Sequence, residues 1–105
     1  NTFFTAVVMK KVNIVKLLLE NEKVDINILN DYCCFTNNWY LFKQTALFCA
    51  VELNNVEIVK LILNNRKPDV NVICTKEFLT SHGKLYEKTV IYEAVEKRNL
   101  ESRNN

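Results

Sequence analysis

The feature that most constrains the fold of this chain is an internal repeat with a spacing of 44 residues. A shift of 44 aligns residues 12–19 with residues 56–63, and it aligns Asp25-Ile26-Asn27 with Asp69-Val70-Asn71. The start of the pattern returns a third time from Thr89 onward, again without a gap. Such self-similarity is typical of chains in which each repeat is one supersecondary unit that cannot bury its apolar face alone. The 105 residues are therefore predicted to form one repeat array, with units 1–44 and 45–88 and a partial unit 89–105.

Each unit is predicted to begin with two short helices and a tight turn. Apolar residues recur three and four positions apart at residues 2–9, 46–53 and 90–97, and they recur again around residues 58–63. In this second helix Glu57, Lys60 and Asn64 form one polar stripe, so residues 58, 59, 61, 62 and 63 are predicted to face inward. The turns between the helices are predicted at residues 10–11, 54–55 and 98–99.

A seventeen-residue connection, residues 28–44 and 72–88, follows the helices in both complete units. A connection of this length is uncommon in a compact domain unless it has structure or function of its own. Strand-favouring residues lie on each side of a turn cluster, at residues 36–38 and 80–83. Each connection is therefore predicted to be a projecting β-hairpin, and Gly83 is predicted to take a positive φ in the second turn.

Three short motifs connect these units to a known family. They are Thr45-Ala46-Leu47-Phe48-x-Ala50, Ile58-Val59-x-Leu61-Ile62-Leu63 and Asp69-Val70-Asn71. The motifs resemble the T-P-L-H-x-A opening, the I-V-x-L-L-L second helix and the D-V-N turn of ankyrin repeats. The resemblance implies a mainly α fold, an ankyrin-like solenoid of helix-turn-helix repeats with projecting β-hairpins. The long-hairpin form with a period of 44 is similar to ankyrin families expanded in some unicellular eukaryotes.

Repeats of two other architectures have a similar length. HEAT repeats would need two longer helices and shorter links, and a propeller blade would need four strands where the helical segments leave room for two. The ankyrin-like interpretation is therefore preferred.

The sequence presents no candidate for catalysis, cofactor binding or metal binding. His82 is the only histidine and lies in a turn cluster, and the acidic residues do not form convergent pairs. The four cysteines are Cys33, Cys34, Cys49 and Cys74, and no two of them form the C-x-x-C pair of a zinc site. They are predicted to be reduced thiols, which favours a cytoplasmic protein. A net charge of +2 does not indicate binding to nucleic acid, and no apolar run approaches the length of a membrane span.

The resemblance implies that a partner protein binds the concave face of the array, which the first helices and the hairpins form. The predicted contact positions on the first helices are Val8, Met9, Glu52, Leu53, Glu96 and Lys97. The hairpins add Tyr32, Phe35, Trp39, Tyr40, Phe42, Phe78, Lys84 and Tyr86. Aromatic residues are favoured anchors in interfaces. Tyr40, Phe42 and Tyr86 are expected to be displayed or to stack along the array, whereas Trp39 is either displayed or packed against the next hairpin.

Three functional classes stay open at this point. The first is a non-catalytic protein-interaction module or scaffold. The second is a structural array that assembles with other chains, for example in a cytoskeletal complex. The third is the targeting arm of an enzyme whose catalytic domain lies outside these residues. Because the chain begins at Asn1 and ends inside a repeat, it is expected to be a piece of a longer array.

Overall fold

The computed structural model describes the backbone of residues 1–34, 40–78 and 83–104, and the side chains of these residues except 33, 34 and 99–104. The predicted turn residues 36–38 and 80–82 therefore lie outside the described residues. The same holds for three side chains named above, those of Phe35, Trp39 and His82.

Five helices form at the predicted places, and equivalent helices, meaning those 44 residues apart, begin at equivalent positions. They are α1 (Thr2–Val8), α2 (Val12–Glu20), α3 (Ala46–Glu52), α4 (Val56–Asn65) and α5 (Val90–Asn104). The turns after α1 and α3 contain Lys10 and Asn54, whose φ angles are 57° and 56°. This left-handed conformation reverses the chain in one step, and Asn tolerates it better than most residues. The predicted turns at residues 10–11 and 54–55 are thus confirmed.

The third predicted turn, at residues 98–99, is wrong because α5 continues through it as one helix of 15 residues. A turn into a second helix is favourable when that helix can bury an apolar face against its neighbours. A continuous helix keeps the backbone hydrogen bonds that a turn at residues 98–99 would break, so the chain does not fold back there.

Four strands of five residues each form the two predicted hairpins. They are β1 (Asn30–Cys34), β2 (Tyr40–Gln44), β3 (Cys74–Phe78) and β4 (Lys84–Lys88). β1 pairs with β2 and β3 pairs with β4, both antiparallel. Gly83 does not have the predicted positive φ.

The hairpins do not project separately, and the prediction of a mainly α solenoid is wrong. β2 pairs with β3 in antiparallel register, with Tyr40 opposite Phe78 and Lys43 opposite Thr75, so one sheet runs in the order β1-β2-β3-β4. The physical reason is that a lone hairpin leaves the backbone groups of both outer edges unpaired. Pairing of β2 with β3 gives hydrogen-bond partners to the backbone groups of two of the four outer edges. The fold is therefore five helices beside a four-stranded antiparallel sheet.

The core lies between the helix pairs and beneath the helix-proximal end of the sheet. Its largest fully buried side chains include Phe3, Phe48, Ile58 and Ile62. Ile58 and Ile62 are four residues apart, so they lie on one face of α4. Leu63 is half exposed, contrary to the prediction. It follows Ile58 by five residues, which places it about 140° around the helix from that position.

Within the described residues, no helix is long and apolar enough to cross a membrane.

Candidate functional site

One face of the sheet carries a row of aromatic side chains. Side chains at alternate positions of a strand share a face, and the register places Tyr32 opposite Phe42 and Tyr40 opposite Phe78. The ring centroids of these two pairs are 5.7 Å and 5.4 Å apart, and those of Tyr40 and Phe42 are 6.2 Å apart. We call these four residues, together with Lys76, the aromatic face. All five side chains are partly or largely exposed.

The aromatic face continues onto the first helices of the units. The ring of Tyr32 lies 6.4 Å from that of Phe4 in α1, in an edge-on arrangement. Farther along the sheet, the ring of Tyr86 lies 6.2 Å from that of Phe48 in α3. The sheet therefore turns its aromatic face towards α1 and α3.

Lys76 lies among the rings of the aromatic face. Its ammonium group is 4.2 Å from the centroid of Tyr40 and 5.3 Å from that of Phe42, which are cation–π distances. In the register Lys76 is opposite Phe42 on one side and Tyr86 on the other. The face thus combines exposed aromatic area with one positive charge.

A polar network joins the sheet to the end of α3. The hydroxyl of Tyr86 donates to Glu52 Oε2 at 3.2 Å, and Gln44 Nε2 donates to the same hydroxyl at 3.3 Å and to Glu52 Oε1 at 3.4 Å. Gln44 is almost completely buried. Burial raises the pKa of Tyr86, and the adjacent Glu52 carboxylate raises it further. The phenol therefore stays protonated and serves as a fixed hydrogen-bond donor.

A second ionic network joins β4 to α5. Lys88 Nζ donates to Glu93 Oε2 at 3.2 Å and lies 2.7 Å from Glu96 Oε1. Burial alone would lower the pKa of Lys88, but the hydrogen bonds to Glu96 and Glu93 outweigh it, and the pKa is raised. The same ammonium lies 4.5 Å from the ring centroid of Tyr86.

The two cysteines whose side chains the structure describes are not activated as nucleophiles. Cys49 and Cys74 are free and buried. Burial raises the pKa of the Cys49 thiol to about 11, with a further contribution from Glu52, and burial also raises the pKa of Cys74. A reactive cysteine needs the opposite shift. No cluster of three or more His, Cys, Asp or Glu side chains suited to a metal ion is found in the part of the chain that the structure describes.

The predicted contact residues divide into three groups in the structure. Tyr40 and Phe42 belong to the aromatic face, whereas Glu52, Tyr86 and Glu96 take part in the intramolecular networks. The other five belong to neither. Val8 is the half-buried last residue of α1, and Met9 and Leu53 are the exposed C-cap residues of α1 and α3. Lys97 lies in α5, and Lys84 pairs with Glu87 on the outer strand β4.

Sequence reasoning missed Gln44, Lys76, Lys88 and Glu93. The repeat itself contains a signal for two of them, because Gln44 and Lys88 are equivalent strand-end positions that contact the equivalent helix residues Glu52 and Glu96. No such signal marks Lys76, since its role depends on the pairing of β2 with β3.

Two pairs of short helices, each followed by a hairpin, define a repeat protein. A family model of ankyrin repeats, in three copies, matches residues 3–103. The chain therefore belongs to the ankyrin repeat family, whose members are generally non-catalytic protein–protein interaction modules. A search of curated proteins and a search of solved structures each found no match.

Proposed function

We propose that the chain binds a partner protein through the aromatic face and the ends of the first helices, the surface that the sequence predicts as the concave face. The observation that carries the proposal is the partly exposed row of Tyr32, Tyr40, Phe42 and Phe78 around Lys76. Tyrosine and phenylalanine supply large rigid contact area and are enriched in interfaces. Tyr40 and Phe42 are the proposed anchors.

The remaining predicted residues have supporting roles in this proposal. Val8, Met9, Leu53 and Lys97 are proposed as further contact positions on the helices, and Lys84 as one on the outer strand β4. Glu52, Tyr86 and Glu96 hold the sheet at a fixed angle to α3 and α5 through their hydrogen bonds and ion pairs. A fixed angle matters because a pre-organised surface loses less conformational entropy on binding.

The proposal includes the finer description of the array. We propose a long-hairpin ankyrin form with units 1–44, 45–88 and a partial unit 89–105. Supporting it, the helices and strands of successive units begin exactly 44 residues apart, for example at Thr2, Ala46 and Val90. The protein is proposed to act in the cytoplasm as a non-enzymatic scaffold that does not bind nucleic acid.

A structural array that assembles with other chains is the second candidate function. The observation in its favour is the set of apolar side chains that are half exposed or more on the outer helices of the described chain. They are Ile14, Leu17, Ile91, Tyr92 and Val95. At the equivalent positions inside the molecule, Leu47, Phe48 and Ile58 are buried and Val51 and Leu61 are half-buried. The outer side chains therefore suit contact with further chains.

Site-specific photocrosslinking separates the two candidates. Benzoylphenylalanine at position 42 places the probe on the aromatic face, and the probe at position 41 places it on the opposite face of the same strand. We expect position 42 to capture a different protein in cell extract and position 41 not to do so. Capture only of further copies of the chain supports the structural array, and equal capture from both positions rules out the aromatic face as the specific site.

Once a partner is identified, its affinity tests the anchors directly. We expect Tyr40→Ala or Phe42→Ala to weaken binding at least tenfold, which corresponds to about 1.4 kcal/mol. Lys43→Ala, next to Phe42 but on the other face, is the matched control and should leave the dissociation constant unchanged.

A further inference from the structure

The ammonium group of Lys88 shows which groups can surround a lysine of this sheet. It lies 4.5 Å from the ring centroid of Tyr86, so one side of it faces an aromatic ring. It also lies 3.2 Å from Glu93 Oε2 and 2.7 Å from Glu96 Oε1. A ring attracts a cation through its quadrupole, whereas a carboxylate oxygen accepts hydrogen bonds from it, so the two kinds of partner complement each other.

Lys76 has the rings but not the carboxylates. Its ammonium group lies 4.2 Å from the ring centroid of Tyr40 and 5.3 Å from that of Phe42. Among the residues that the structure describes, no carboxylate oxygen lies within 4.0 Å of this group. The undescribed hairpin residues, 35–39 and 79–82, include neither Asp nor Glu. The aromatic face therefore presents a positive charge whose acidic partner is not found in the described part of the chain.

The acidic residues of the strands lie on the other face of the sheet. Asp31, Glu77 and Glu87 are each one position away from a residue of the aromatic side, and successive side chains of a strand point to opposite faces. On the aromatic side, Glu52 already accepts a hydrogen bond from the hydroxyl of Tyr86. A carboxylate for the lysine of the aromatic face is thus left for a partner to supply.

The surroundings of Lys76 are defined by the two hairpins themselves. Its strand, β3, is an inner strand that pairs with β2 on one side and with β4 on the other. The side chain is half-buried, so part of the ammonium group stays accessible from the open side of the aromatic face. A bound segment would exclude water from this place, and the attraction between opposite charges is stronger where the effective dielectric constant is lower.

We propose that the aromatic face binds an acidic segment of the partner protein, in which an Asp or Glu side chain pairs with Lys76 and the neighbouring apolar side chains pack on Tyr40 and Phe42. This inference rests on the function proposed above and adds the chemistry of the partner at the same surface. A carboxylate suits the site better than a phosphate group, because phosphate recognition commonly uses arginine clusters and the four strands contain no arginine.

The probe is a phage-displayed library of random short peptides, selected in parallel on the complete chain and on its variants. We expect the wild type to enrich peptides that carry Asp or Glu between aromatic or aliphatic residues. Lys76→Gln should lose the acidic preference, and Lys76→Glu should enrich Lys or Arg at the same place. Lys43→Gln is the matched control, because it removes the same charge from the opposite face and should enrich the same peptides as the wild type.

Phe42→Ala separates a failure of this inference from a failure of the proposed function. Suppose that the enriched peptides need Phe42 but show no acidic preference, or bind Lys76→Gln as well as the wild type. The acidic partner is then wrong, while the aromatic face remains a binding surface. No enrichment on the wild type, or the same enrichment on Phe42→Ala, would overturn both.

A double-mutant cycle on the most enriched peptide measures the charge pair directly, with fluorescence anisotropy as the readout. Replacing the acidic residue of the peptide by its amide should weaken binding to the wild type about three- to tenfold and leave binding to Lys76→Gln almost unchanged. Replacing it by Lys should restore binding to Lys76→Glu, a rescue that a merely structural effect of the substitution would not give.

Two results of this cycle would overturn the carboxylate pair. Equal losses for the amide peptide with the wild type and with Lys76→Gln would place the carboxylate at another site. Tighter binding of a peptide with phosphoserine at the acidic position would assign Lys76 to a phosphate group instead.

Discussion

Tyr86 illustrates how one side chain joins two layers of the molecule. Its ring packs beside Phe48, while its hydroxyl donates to Glu52 and accepts from Gln44. One unit earlier, Phe42 occupies the position equivalent to Tyr86, and Phe4 occupies the position equivalent to Phe48. Phe42 has no hydroxyl, so only the second unit has this polar connection between its sheet and its first helix.

Removal of the hydroxyl isolates its contribution to stability. We expect Tyr86→Phe to lower the free energy of unfolding by about 1–2 kcal/mol, because the half-buried Glu52 and the buried Gln44 each lose a hydrogen-bond partner. Urea denaturation measures the change. Tyr92→Phe is the control, since Tyr92 is 58% exposed, and it should change the stability little. Equal losses in the two variants would mean that the network is not stabilising.

The buried thiol of Cys49 predicts a loss of stability in alkali. Its pKa is about 11 in the folded chain against an ordinary value of 9.0. Because the folded pKa is raised, the unfolded chain loses the proton first; the full stability is present below pH 9 and is lost as the pH rises to 11. Each pH unit in this window lowers the free energy of unfolding by up to about 1.4 kcal/mol.

Cys49→Ala tests whether this thiol causes the loss, through the slope of the free energy of unfolding against pH. Urea unfolding at pH 7, 9, 10 and 11 should show a smaller decline above pH 9 for the variant than for the wild type, whatever the stability of the variant at pH 7. Parallel curves for the two proteins would assign the alkaline loss to other groups, such as Tyr86.

At the scale of elements, local sequence explains where each helix begins. Asn1, Thr45, Asn55 and Thr89 each accept a hydrogen bond from a backbone amide in the first turn of the next helix. Such caps satisfy donors that the helix leaves free. α2 differs, since its N-cap residue Lys11 makes no side-chain cap hydrogen bond.

The matched starts of α4 and α2 give a direct test of capping. We expect Asn55→Ala to lower the free energy of unfolding by about 1 kcal/mol, because the amide of Ile58 loses its acceptor at 3.2 Å. The equivalent change Lys11→Ala should have almost no effect. Thermal or urea unfolding compares the two, and a Lys11→Ala loss as large as that of Asn55→Ala would show that the cost is not due to the cap.

Turn chemistry between elements is also readable from the sequence. Asp25 accepts from the amide of Asn27, and the equivalent Asp69 accepts from that of Asn71. In addition, Asn27 Oδ1 accepts from the amide of Asp69 at 2.7 Å, so one turn supports the next. The motif alone predicts the two local bonds, but the bond between the turns depends on how the units pack.

At the scale of the whole molecule, burial depends on neighbouring units more than on residue type. Ile58 has no exposed area, while the equivalent Ile14 is 47% exposed on the outer side of α2. Phe48 and Tyr92 differ in the same way at the other end. The inner helices therefore use these apolar positions for packing, whereas the outer helices leave the equivalent apolar side chains partly exposed.

This difference in burial predicts that an Ile→Ala substitution destabilises the fold more at position 58 than at position 14. Ile58→Ala should lower the free energy of unfolding by about 2–5 kcal/mol, because it leaves a cavity between α4 and α2. Ile14→Ala removes the same atoms from a half-exposed site and should cost less than about 1 kcal/mol. Similar values for both, measured by urea unfolding, would contradict the packing of α4 described here.

The sequence by itself determined the spacing of 44, the helix starts, the inter-helix turns at residues 10–11 and 54–55, and the two hairpins. All of these depend on periodicity, capping and turn propensity, which act over a few residues. Only the tertiary structure decided that β2 pairs with β3, that Lys76 lies between aromatic rings, that Glu52 and Tyr86 bind each other, and that α5 stays straight. The pairings and contacts depend on which edges and faces meet across 32 residues or more, and no local pattern encodes them.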